Sequence, residues 1–93
     1  IMNKINSMIE KELVFSGQYF RIKGMDYLRA LIRHYSNKAK KFNYSVSVMR
    51  HCEEEIDLII EHLNKHKIDD MRDEAIKLKK ELKDEALKFR SNI

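Results

Sequence analysis

Apolar side chains recur along this chain at intervals of three and four residues, the spacing of a helix that buries one face. The recurrence predicts four helical segments. The first runs over about 3–15, from Asn3 as N-cap to Phe15, with Ile5, Met8, Ile9 and Leu13 on a narrow apolar face and Ser16-Gly17 as its stop. The second, about 25–42, gathers Met25, Leu28, Leu31, Ile32, Tyr35, Ala39 and Phe42 within a sector of about 120°. The third, about 46–66, does the same with Met49, Cys52, Ile56, Ile59, Ile60 and Leu63, and the fourth, about 69–90, with Met71, Ala75, Leu78, Leu82, Ala86 and Phe89.

The breaks have their own chemistry. Asn43-Tyr44-Ser45 reads as a tight corner, with Asn43 able to take a left-handed backbone and Ser45 placed as the next N-cap. Asp69 or Asp70 suits the positive end of the last helix, and Lys88 and Arg90 suit its negative end. The stretch from Gln18 to Lys23 lies between Gly17 and Gly24 and reads as a loop.

These elements predict one all-α domain over 1–93. It is a small bundle of four helices, with the third and fourth as an antiparallel C-terminal hairpin and the second packed across them. The first helix, on its glycine-flanked connection, is expected to dock on its own bundle or to exchange with a neighbour's. Composition agrees: the 93 residues contain no Pro, no Trp and only two Gly. A chain of this length hides only roughly 60–65 % of the surface its unfolded form exposes, so the core is modest. Met2 reads as the native start. The single Cys52 excludes an internal disulfide framework and fits a reducing compartment. Without an apolar run of roughly 20 residues or a signal-peptide core, a cytoplasmic location without membrane contact is expected.

Charge is sorted along the chain. Tyr27 to Arg50 contains no acid and six bases, namely Arg29, Arg33, Lys38, Lys40, Lys41 and Arg50, whereas His51 to Glu74 sets nine acids against three bases. On the second helix Arg29, Arg33 and Lys40 form a stripe that phosphates can follow, with Lys41, Lys38, Arg21 and Lys23 as further candidate nucleic-acid contacts. The competing expectation is internal neutralisation, with Arg29, Arg33 and Lys40 lying near the Glu53, Asp57 and Glu61 stripe of an adjacent third helix. Tyr19 and Phe20, next to Arg21 and Lys23, either stack on bases or pin a loop over the bundle, and packing is the preferred assignment.

The polar side of the third helix carries Leu58 among His51, Glu55, His62 and His66, and the far side of the fourth carries Ile76 and Leu87. Leu58, His51, His62, Ile76 and Leu87 are therefore the candidate protein interface. His62 and His66, spaced i,i+4, lack a third ligand, so neither a metal nor another cofactor is expected. Glu53, Glu54 and Glu55 are explained by the helix dipole, and Cys52 falls in the apolar sector as a small hydrophobe. No nucleophile, base and acid can be assembled, and no small-molecule substrate is expected. The chain reads as a small non-enzymatic interaction or regulatory protein that binds a macromolecular partner and works as a homodimer; the alternative is a nucleic-acid-binding protein that uses the basic stripe.

Overall fold

The computed structural model of the chain describes residues 17–92, apart from the side chains of residues 17–19, 21 and 22. Within them lie three helices, α1 (Gly17–Lys41), α2 (Val46–Lys65) and α3 (Asp69–Ser91), and no strand. The four-helix bundle is thus corrected to three helices among the described residues, and the helix expected over 3–15 lies outside them. Each of the three packs on the other two. They close one core, centred on Phe20, Leu28, Ile32, Ile56, Ile59, Leu63 and Leu82.

Phe20 explains the second correction. The stretch read as a loop is the first part of α1, because Phe20 is 0 % exposed and stacks obliquely on Tyr27 with ring centroids 5.9 Å apart. Burying an aromatic ring contributes more than the local preferences of a glycine-flanked hexapeptide. The break is confined to Gly24 (φ 83°, ψ −178°), a conformation almost reserved for glycine, which kinks α1 between Lys23 and Met25. At the other end Phe42, assigned to the buried sector, is 50 % exposed, since the helix ends at Lys41 and the chain turns away.

Both turns between helices close by the same device. Tyr44 N–H donates to Ala39 O at 2.8 Å and Asn43 N–H to Lys40 O at 3.0 Å, and likewise Ile68 N–H donates to Leu63 O and Lys67 N–H to Asn64 O. These are Schellman pairs, with Asn43 (φ 54°) and Lys67 (φ 58°) in the left-handed position and the buried Tyr44 and Ile68 sealing the turn. Tyr44 packs on Phe89 of α3 with centroids 5.2 Å apart, and Arg90 Nη2 donates to its carbonyl at 3.3 Å, fixing the corner to the end of α3. Ser45 occupies the N-cap of α2 but its hydroxyl makes no capping bond. Among the described residues no helix is long and apolar enough to cross a membrane.

Candidate interaction surfaces

Helix α3 sorts its charges by face. At about 100° per residue, Glu81 and Glu85 return to within about 20° of Glu74, while Lys79, Lys83 and Arg90 cluster about 160° away, with the core residues Ala75, Leu82 and Phe89 between the two groups. Each charged flank meets the helix of opposite sign. Arg29 Nε of α1 donates to Glu74 Oε2 at 2.6 Å, and Lys79 Nζ donates to Asp57 Oδ1 of α2 at 2.6 Å, with Lys83 and Glu53 3.8 Å apart. The direct α1–α2 pairing of the basic and acidic stripes is therefore corrected: α3 supplies the partners, Glu74 for Arg29 on one side and Lys79 and Lys83 for Asp57 and Glu53 on the other. The hydrogen bond to Glu74, reinforced by its charge, raises the Arg29 pKa.

Two grooves run beside α3. The first, about 400 Å³, lies between α1 and α3, where Arg29, Arg33 and Lys40 face Glu81 and Glu85 across Ser36 and Asn37. Lys41 and Lys23 are exposed, Lys38 is half-buried, and the Arg21 side chain lies outside the description. Among the described residues Arg33, Lys40 and Lys41 form no ion pair within 4 Å. The stripe thus splits, one member locked to Glu74 and the others facing water beside acids.

The second groove, about 500 Å³, lies between α2 and α3. Val46, Met49, Ala86 and Leu87 supply its apolar surface, and Val46 and Leu87 stand 66 % and 60 % exposed. Glu53, Glu54 and Asp57 edge the α2 side; Lys79, Lys83 and Arg90 edge the α3 side, with Arg50 added from α2. Ile76 is exposed about three turns before Leu87 on α3, extending the strip. Val46 escaped the sequence reading because it opens its helix, although its spacing of three from Met49 was the available signal.

The histidine-centred candidate does not assemble. His51 and Leu58 are exposed and His66 is half-buried, but His62 is buried. Its expected place on the solvent side is corrected, since it lies 8 % exposed, while Glu55 on the same side of α2 approaches Tyr35 Oη of α1 at 3.5 Å. Among the described residues no group of three or more His, Cys, Asp or Glu side chains could hold a metal ion. Cys52 is fully buried, its Sγ 3.5 Å from Tyr35 O, and burial raises the thiol pKa.

The chain matches no protein-family model, and neither a curated protein nor a solved structure is significantly similar to it.

Proposed function

We propose that this chain is a small non-enzymatic interaction protein that binds a macromolecular partner through the α2–α3 face and works as a dimer. One observation carries the proposal: Val46 and Leu87 stand exposed over a groove with an apolar floor and charged edges, the composition of a surface with an apolar centre and a polar rim. A second reading, nucleic-acid binding through α1, rests on the exposed Arg33, Lys40 and Lys41. It ranks behind the first because the carboxylates of Glu81 and Glu85 in the same groove oppose a polyanion, and Arg29 is already held by Glu74.

The two readings separate on immobilised wild-type, Leu87→Glu and Arg33→Glu chains exposed to the same cell extract. A protein retained by the wild type and by Arg33→Glu, and lost from Leu87→Glu, is the expected result. Nuclease-sensitive retention lost from Arg33→Glu, and weakening steeply between roughly 50 and 200 mM salt, would replace the first reading by the second.

A further inference from the structure

We propose that the α2–α3 groove binds a second copy of this chain about a two-fold axis parallel to the helices; the proposal rests on the interaction reading above and names the partner of that face. The groove is self-complementary in one orientation only. Its α2 edge carries Glu53, Glu54 and Asp57 with the single base Arg50, and its α3 edge carries only bases, Lys79, Lys83 and Arg90, of which Lys79 and Lys83 already pair with Asp57 and Glu53 within the chain. A two-fold axis running along the groove lays the α2 edge of each copy on the partner's α3 edge, so carboxylates meet ammonium and guanidinium groups twice. An axis running across the helices lays α2 on α2 and sets carboxylate against carboxylate. Among the described residues Glu54 forms no ion pair, so its charge is available to the partner's basic edge.

The apolar side chains obey the same symmetry. The pairs Asp57–Lys79 and Glu53–Lys83 fix the antiparallel register of α2 and α3, which sets Leu87 level with Met49. Val46 then lies about one turn from Leu87 along the groove. In the two-fold arrangement the Val46 side chain of each copy covers Leu87 of the other, which withdraws from water the two most exposed large apolar side chains among the described residues.

Sedimentation equilibrium of the wild type, Val46→Glu, Leu87→Lys and an equimolar mixture of the two variants tests the arrangement. Both positions face solvent, so the monomer fold is retained, and circular dichroism verifies it. The wild type is expected to dimerise and each variant to raise the dimer Kd by at least about tenfold. Mixing the two variants restores association, because one of the two symmetry-related contacts then sets the introduced carboxylate against the introduced ammonium, while the other keeps Val46 against Leu87. A wild type that stays monomeric, or variants that dimerise like it, overturns the proposal. A mixture no tighter than its components overturns the two-fold orientation. If the wild-type column still retains a protein that Leu87→Glu loses, the interaction reading survives that failure; if it retains none, both fall.

Discussion

Arg29 on α1 and Glu74 on α3 are joined by a 2.6 Å bond across 45 residues of chain, and the Glu74 side chain is only 13 % exposed. A largely sheltered carboxylate held by one guanidinium is a fixed point between two helices that share little else that is charged and close. Asp26 approaches the same guanidinium at 3.6 Å, and Lys77 approaches the other oxygen of Glu74 at 3.9 Å, so the pair sits in a small alternating network.

Replacing Glu74 with Gln is expected to lower the urea midpoint at low ionic strength, and the loss should shrink as salt approaches about 1 M, where the screening length falls to about 3 Å. Equal losses at both ionic strengths would show that the site works by packing and not by charge. The reversed pair, Arg29→Glu with Glu74→Arg, should recover most of the midpoint.

Phe20→Ala is expected to cost about 3–5 kcal/mol in chemical unfolding, the range for deleting a buried aromatic ring. A loop residue in the same place would cost less than about 0.5 kcal/mol. The measurement therefore decides whether the part of α1 before Gly24 belongs to the cooperative core.

Gly24 and Lys67 make opposite predictions about left-handed backbone. A Cβ on Gly24 meets nothing within 4 Å, yet its φ of 83° is strained for any side chain, so Gly24→Ala should destabilise by about 1–3 kcal/mol without a steric clash. Lys67 already bears that strain at φ 58°, and Lys67→Gly should stabilise by about 1 kcal/mol. Thermal unfolding of the two variants checks both signs.

Cys52 and Tyr44 set the alkaline limit. Burial raises both pKa values above their ordinary 9.0 and 10.0, so in alkali the unfolded chain gives up these protons before the folded chain does. The stability this implies is complete below the ordinary values and is lost as pH rises through and beyond them. Unfolding free energy should accordingly decline from about pH 9 upward, and Cys52→Ala should remove the earlier part of the decline. A decline identical in the variant would assign it to other groups.

Local pattern was enough to set the extent of α2 and α3 to within a residue, the left-handed backbone at Asn43, and the apolar faces of the helices apart from Phe42, because each follows from a period, a cap or a breaker acting over a few residues. Ile76 and Leu87 were legible as a second strip for the same reason, since their angle on α3 depends only on their separation from the core positions. For Phe20 packing was the expected role and burial bears it out, but on a stretch read as a loop; Phe42, at the end of a predicted helix, was expected in the core. Only the path of the chain decides that Phe20 sits on α1 and that Phe42 is exposed.

The charges divide in the same way at larger scale. Periodicity gives each residue an angle on its own helix, but it does not say which neighbour stands on which side. The stripes of α1 and α2 were visible in the chain, whereas the two charged flanks of α3 were not singled out. That Arg29 meets Glu74 and Asp57 meets Lys79, and that His62 is buried, followed only from the tertiary arrangement around one core. That arrangement is decided by side-chain packing over the whole molecule, through contacts between residues far apart in the chain.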